Sequence, residues 1–185
     1  MAIKAFAVDV DGTITENGGR LNLDAVLTLR RLEKHGYRII LVSGRSAWEV
    51  FALAIYLGTT RVAVGENGAV VAISPVDMAI LADNSYSVMA YELLSQKIDC
   101  VKLRRVFPRL AEVTLERTFD IKIGRQILKE SGLPVYISDS KYAYHIIHND
   151  VNKAKGMRIA LQYLHLGFNE TVAIGDSEAE ILTLI

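Results

Sequence analysis

The chain has 185 residues, of which 51% are hydrophobic and 23% charged, and its 21 basic and 21 acidic side chains give zero net charge. This composition predicts a soluble globular protein, and the balanced charge argues against nucleic acid or an anionic membrane as the main partner. No apolar run reaches the ~18 residues that a membrane span needs. The single cysteine, Cys100, fits a reducing compartment, so we expect a cytoplasmic protein.

Strands and helices alternate over the first part of the chain. Continuous apolar runs predict buried strands at 3–8, 39–42 and 62–64, separated by helical patterns at 23–32 and 47–57. This order favours a Rossmann-like parallel α/β sheet with right-handed crossovers. Asn67-Gly68 is a strong hairpin signal, so residues 69–73 are expected to pair back as an antiparallel strand.

The pattern changes in the middle of the chain. Helices are predicted at 86–96 and 121–130, and strands at 112–115, 135–138 and 144–148, the last two close enough for a hairpin. These elements indicate an inserted α+β cap at 77–148. The α/β core then comprises 1–76 and 149–185, with a further helix at 151–166 and a strand at 171–174.

Three of the predicted core strands end in polar side chains, namely Asp9 with Asp11, then Ser43, then Asp176. The carboxyl ends of strands in an open parallel sheet converge on one crevice, where ligands bind. Carboxylates gathered there repel one another unless a cation lies among them, and hard oxygen ligands suit Mg²⁺. The four histidines show no paired metal spacing and are expected in structural or surface roles.

The segment Asp9-Val10-Asp11-Gly12-Thr13 resembles the first motif of the haloacid dehalogenase-like phosphatases. The resemblance implies that Asp9 attacks phosphorus, and that Asp11 protonates the leaving alcohol and later activates water. The alternative is a strand that ends in a simple Asp-Gly turn.

Ser43-Gly44-Arg45 is similar to the second motif of the same family, in which Ser43 and Gly44 would bind the transferring phosphoryl group. Ser43 is alternatively a helix N-cap. For Arg45, a phosphate contact and a surface role stay open.

The third motif requires a lysine, and two candidates lie close together. Lys155 has the more usual local sequence, because Gly156 follows it. Helix geometry favours Lys153, since positions 157, 160, 161 and 164 on its face are all apolar. The spacing of 23 residues from Lys153 to Asp176 also matches the family. Lys153 is therefore the predicted phosphate-binding lysine.

The fourth motif is Gly175-Asp176-Ser177-Glu178-Ala179-Glu180, and the resemblance implies that Asp9, Asp11, Asp176 and Glu180 hold Mg²⁺. Glu180 alternatively completes a capping box with Ser177 at a helix start. The family continues with further helix and strand beyond the position of Ile185, so a less covered sheet edge is expected.

The resemblance implies a magnesium-dependent phosphatase that acts on a small phosphorylated metabolite through an aspartyl-phosphate. The insert resembles the cap of a subgroup that includes archaeal phosphoglycolate phosphatases, to which chain length and motifs are most similar, so 2-phosphoglycolate is the expected substrate. A sugar-phosphate phosphatase and a truncated, non-catalytic phosphate-binding module are the alternatives. Homodimerisation through the cap or the sheet edge stays open.

Overall fold

The computed structural model describes residues 2–176, and contacts within the chain divide it into two compact units. Within the described residues, the core unit comprises residues 2–79 and 152–176, and the insert unit comprises residues 80–151. The sequence-based divisions, after residues 76 and 148, lie slightly earlier in the chain. In chain order the elements are β1 (Ala5–Asp9), α1 (Leu23–Lys34), β2 (Arg38–Val42), α2 (Ala47–Leu57), β3 (Ala63–Gly65), β4 (Val70–Ala72), β5 (Met78–Ile80), α3 (Ser85–Lys97), β6 (Val113–Leu115), α4 (Ile121–Ser131), β7 (Val135–Asp139), β8 (Tyr144–His148), α5 (Lys153–Tyr163) and β9 (Thr171–Ile174).

The core sheet has the strand order β5-β4-β3-β2-β1-β9. β1 lies between β2 and β9 and is parallel to both, and β2 is parallel to β3, which confirms the predicted parallel α/β core. β4 runs antiparallel to β3, as the Asn-Gly signal predicted. β5 was not predicted, because its three residues, between Asp77 and an Asp-Asn turn, carry too short a pattern.

Helices cover both faces of the core sheet. α5 packs its buried residues Met157, Ala160 and Leu161 against alternate strand residues such as Ile40 and Val42. The intervening strand residues point to the opposite face, where α1 and α2 pack against β2. With both faces covered, the strands are apolar along most of their length, and their polar residues are left for the strand ends.

The insert unit is an antiparallel three-stranded sheet with order β6-β8-β7 and two helices, α3 and α4. The predicted hairpin is confirmed as the antiparallel pair β7 and β8. One apolar cluster joins the sheet to the two helices; its buried members are Ala90, Leu94, Leu115, Leu128, Val135, Ile137, Tyr144 and Ile146. The unit thus has a hydrophobic core of its own. Within residues 2–176, no helix combines the length and the apolar character that crossing a membrane would require.

Candidate active site

Asp9 is the last residue of β1 and lies beside Val42 of β2 in the parallel register. Only 2% of the residue is exposed. Lys153, the first residue of α5, donates a hydrogen bond from Nζ to Asp9 Oδ1 at 2.7 Å. Asn152 is the N-cap of this helix, and its side chain accepts a hydrogen bond from the N–H of Lys155. Since the cap fixes where the helix begins, it also fixes the direction in which Lys153 points.

The two oxygens of the Asp9 carboxylate are in different surroundings. Oδ1 accepts from Lys153, whereas Oδ2 is buried and has no hydrogen-bond partner within residues 2–176. Burial raises the pKa of Asp9 above its ordinary value of 3.8; Lys153 opposes this, and the charges of Asp11 and Asp176 add to the rise. Asp9 is therefore a carboxylate with one unengaged oxygen and a neighbouring cation, which suits a nucleophile.

The choice between the two candidate lysines is visible in the first turn of α5. Lys153 is buried and bonded to Asp9, whereas Lys155 is exposed to solvent. The apolar residues that share a face with Lys153 are the ones that pack against the sheet. The lysine favoured by helical spacing, Lys153, is thus the one that contacts Asp9.

Asp11 follows β1 and is partly exposed, and its carboxylate is held by Arg45. Arg45 Nη2 lies 2.7 Å from Asp11 Oδ1, and Arg45 Nε donates to Oδ2 at 2.9 Å, which makes a two-pronged ion pair. Sequence reasoning left Arg45 open between phosphate and surface roles and did not foresee this pair. No local signal marks it, because the partners are 34 residues apart.

Ser43 and Gly44 follow β2, in the position that the second motif predicts. Ser43 is buried, with 1% of its surface exposed, and its Oγ accepts a hydrogen bond from the N–H of Arg45 at 3.1 Å. The same Oγ lies 3.5 Å from Asp11 Oδ2. The structure thus brings the segment after β2 to the segment after β1, although the phosphate-binding roles of Ser43 and Gly44 stay predictions.

Asp176 follows β9 and lies against the turn after β1. A side-chain carbon on Gly12, whose φ is +85°, would lie only 2.6 Å from Asp176 Oδ2. Asp176 thus lies beside Gly12, the residue after Asp11, and the charges of both carboxylates help to raise the pKa of Asp9.

These residues fit a magnesium ion. Mg²⁺ is commonly held by one or two carboxylates and several waters, and the unengaged Asp9 Oδ2 together with the Asp176 carboxylate supplies oxygens of this kind. Within residues 2–176 no cluster of three or more metal-ligating side chains is present, and the Asp11 carboxylate is bonded to Arg45. Glu180, the fourth predicted ligand, lies outside the described residues.

The turn that joins β3 to β4 also reaches this region, which the hairpin signal did not foretell. The N–H of Asn67 donates to the carbonyl of Ser43 at 3.2 Å, and the N–H of Glu66 donates to the carbonyl of Arg45 at 2.8 Å. Both residues have positive φ values. Asn-Gly is a sequence signal for such a backbone, but nothing in the sequence marks Glu66.

Comparison with known proteins identifies relatives over nearly the whole chain. The profile of the haloacid dehalogenase-like hydrolases matches residues 6–117 and 107–182. A phosphoglycolate phosphatase of Nitrosopumilus maritimus is 42% identical over 182 residues, which cover 98% of this chain and 79% of the relative. A phosphoglycolate phosphatase of Methanothermobacter thermautotrophicus is 33% identical, with 97% and 80% covered.

Solved structures share the fold. A Thermoplasma acidophilum protein superposes with a TM-score of 0.88 at 24% identity, over 100% of this chain and 81% of that chain. The sucrose-phosphatase of a Synechocystis species, in complex with sucrose and phosphate, superposes with a TM-score of 0.69 at 16% identity, over 100% and 79% of the two chains. At these identities the likeness concerns the arrangement of the elements.

Proposed function

Because this chain belongs to the haloacid dehalogenase-like hydrolases, we propose that it is a magnesium-dependent phosphatase of small phosphate monoesters, with 2-phosphoglycolate as its substrate. The pairing of Asp9 with Lys153 at the carboxyl end of β1 carries the proposal of phosphatase chemistry. The substrate is supported by relatives named phosphoglycolate phosphatase, which align with nearly the full chain.

In the first half of the reaction, one carboxylate oxygen of Asp9 attacks phosphorus. A bond forms between this oxygen and phosphorus while the bond to the leaving alcohol oxygen breaks, and the electron pair goes to that oxygen. Asp11, as a carboxylic acid, donates a proton to it. Lys153, which is bonded to Asp9, and the Ser43–Gly44 segment would bind the phosphoryl oxygens, and the positive charge of Lys153 would stabilise the developing negative charge.

In the second half, Asp11 accepts a proton from water while the water oxygen attacks phosphorus. The bond between phosphorus and Asp9 breaks, which releases inorganic phosphate and restores the carboxylate. Arg45 holds both oxygens of Asp11 in the resting site, so one of these contacts has to release before Asp11 carries and donates its proton. A bound Mg²⁺ would supply positive charge that attracts the phosphoryl group and relieves the repulsion among the carboxylates.

The remaining expectations join this proposal. A small phosphorylated metabolite is the proposed partner, with no role for nucleic acid or membrane, and homodimerisation is still open. A cytoplasmic location is supported by Cys100, which is exposed and unpaired, as is common in a reducing compartment.

A panel of phosphate monoesters tests the function and the substrate together. With Mg²⁺ we expect continuous release of phosphate over many turnovers, the highest kcat/KM for 2-phosphoglycolate, and loss of activity after chelation. A hexose phosphate that is hydrolysed far more efficiently than 2-phosphoglycolate would overturn the substrate. A single stoichiometric phosphorylation without turnover would replace the phosphatase with a phospho-acceptor module.

A further inference from the structure

The turn between β3 and β4 has an unusual backbone. Three successive residues have left-handed conformations: Glu66 with φ +50°, Asn67 with φ +56° and Gly68 with φ +98°. Glycine adopts such values freely and asparagine tolerates them, but they are disfavoured for glutamate. Glu66 is nevertheless fully buried. A strained conformation of this kind persists only where surrounding contacts enforce it, and it is found mostly at functional sites.

One side of the turn is bonded to the segment after β2. The N–H groups of Glu66 and Asn67 donate to the carbonyls of Arg45 and Ser43, the two residues that flank Gly44. The Asn67 amide group packs against Gly44 itself, since a side-chain carbon there would lie 2.9 Å from Asn67 Oδ1 and 3.4 Å from Nδ2. Gly44 therefore leaves room for the Asn67 side chain.

The other side of the turn packs against the start of α5. A side-chain carbon on Gly68 would lie 2.0 Å from the carbonyl oxygen of Asn152 and 2.8 Å from the N of Lys153. Gly156, one turn further along the helix, is equally close, because a side-chain carbon there would lie 2.8 Å from Gly68 Cα. The turn thus lies between the Ser43–Arg45 segment and the helix end that carries Lys153.

We propose that Asn67 is a positioning residue, whose side-chain amide holds the Ser43–Gly44 segment in register with Lys153 for phosphoryl binding. This inference rests on the proposed phosphatase function and adds a residue to it. The position requires a side chain that tolerates a left-handed backbone and also fills the space beside Gly44. Glycine meets only the first requirement, and alanine meets neither.

Replacement by glycine separates the two requirements. Asn67→Gly should fold at least as stably as the wild type, because glycine adopts φ +56° without strain. Loss of the amide group should nevertheless lower kcat/KM by about 10- to 100-fold, the scale expected when binding groups shift by a fraction of an ångström to about 1 Å. The affinity for inorganic phosphate, measured with Mg²⁺ by calorimetry, should fall with it.

His165→Gly is the matched control. His165 also has φ +56°, is exposed, and follows α5 in the same unit. This change should stabilise the protein slightly and leave both kcat/KM and phosphate affinity unaltered.

Asn67→Asp provides a second variant in case the glycine variant does not fold. Aspartate tolerates the left-handed backbone and keeps the shape of the side chain, but it brings negative charge to Gly44. Its phosphate affinity should fall below that of the wild type, and rise less steeply than the wild type as the salt concentration is lowered.

The outcomes separate this inference from the proposed function. If the wild type hydrolyses phosphate esters and folded Asn67→Gly equals it in kcat/KM and phosphate affinity, the inference is wrong. Asn67 would then only accommodate the left-handed backbone of the turn. If Asn67→Gly does not fold, wild-type phosphate affinity in Asn67→Asp also shows that the inference is wrong. If the wild type neither hydrolyses any ester nor binds phosphate, the proposed function itself fails and the inference falls with it.

Discussion

The core unit buries Asp9 and the insert unit buries Glu112, each beside basic side chains of a different kind. In the core unit, Asp9 pairs with Lys153 through one oxygen, and its other oxygen has no hydrogen-bond partner within residues 2–176. In the insert unit, Glu112 has a fully buried side chain, and a single oxygen, Oε1, accepts from both Arg109 and His145. The second nitrogen of His145 lies 3.0 Å from Ser140 Oγ.

The difference indicates what each cluster is for. Buried polar groups are normally hydrogen-bonded, and two donors on Glu112 follow that rule. Asp9 departs from the rule, and burial together with two neighbouring carboxylates raises its pKa. Such departures concentrate at sites where a protein performs chemistry. We therefore expect substitution of Asp9 to affect turnover most, and substitution of Glu112 to affect stability most.

The largest effect is expected for Asp9→Asn. The substitution keeps the shape of the side chain but removes the nucleophilic oxygen, so turnover should fall by about 10³-fold or more. Steady-state hydrolysis of 2-phosphoglycolate measures it, and circular dichroism checks the fold. Asp77→Asn, at an exposed position of the same unit, should retain full activity. Full activity in folded Asp9→Asn would remove the proposed mechanism.

The next largest effect is expected for Lys153→Met, with Lys155→Met as the control two residues away. Removing the Nζ that pairs with Asp9 should lower kcat/KM by about 10²- to 10³-fold. It should also destabilise the fold by about 3 kcal/mol at neutral pH, because Asp9 then stays buried without its cation.

Urea unfolding and hydrolysis assays measure both quantities. The exposed Lys155 should be replaceable without change in either. Equal losses in the two lysine variants would contradict the assignment of Lys153.

Glu112→Gln tests the other side of the comparison. The amide cannot neutralise Arg109, and it replaces a carboxylate that accepts from Arg109 and His145, so the free energy of unfolding should fall by about 2–4 kcal/mol. Glu92→Gln, an exposed position in α3 of the same unit, should change it little. Thermal and urea unfolding of both variants give the measurement. A Glu112 variant as stable as the wild type would show that the cluster does not stabilise the insert unit.

Much of the core site could be predicted because it lies where local patterns end. Asp9 ends an apolar strand, Ser43 and Asp176 follow two others, and parallel strands bring their carboxyl ends together. The family resemblance called for a lysine, and the phase of one helix together with the family spacing to Asp176 favoured Lys153 over Lys155. The positions of these residues follow from the period of an element and the direction of its neighbours, whereas their chemical roles come from the family resemblance.

Pairs that join distant segments could not be predicted in the same way. Arg45 meets Asp11, and His145 meets Glu112, across 34 and 33 residues of sequence. Which long side chain reaches which carboxylate depends on rotamers and on the packing of several elements. The spacing of the four histidines in the sequence carries no information about the buried carboxylate that His145 contacts.

The pH dependence of stability isolates the cost of burying Asp9. Its pKa is raised in the folded protein, mainly by burial, so between the ordinary value of 3.8 and the raised value the folded state binds more protons than the unfolded state. The contribution of Asp9 to the free energy of unfolding is therefore fully present below pH 3.8. It is lost as the pH rises through the pKa that Asp9 has in the folded protein.

The free energies of unfolding of metal-free wild type and Asp9→Asn should be measured in urea from about pH 4 to about pH 7. The contributions of the other carboxylates cancel in the difference between the two proteins. The wild type should lose stability relative to the variant as pH rises, by less than the effect of Glu112→Gln. Mg²⁺ should restore the wild type at the upper end of the range, because the ion favours ionised Asp9, and should leave the variant less affected. If the curves of stability against pH are parallel for the two proteins, burying ionised Asp9 costs no free energy. The contrast between the Asp9 and Glu112 clusters would then disappear.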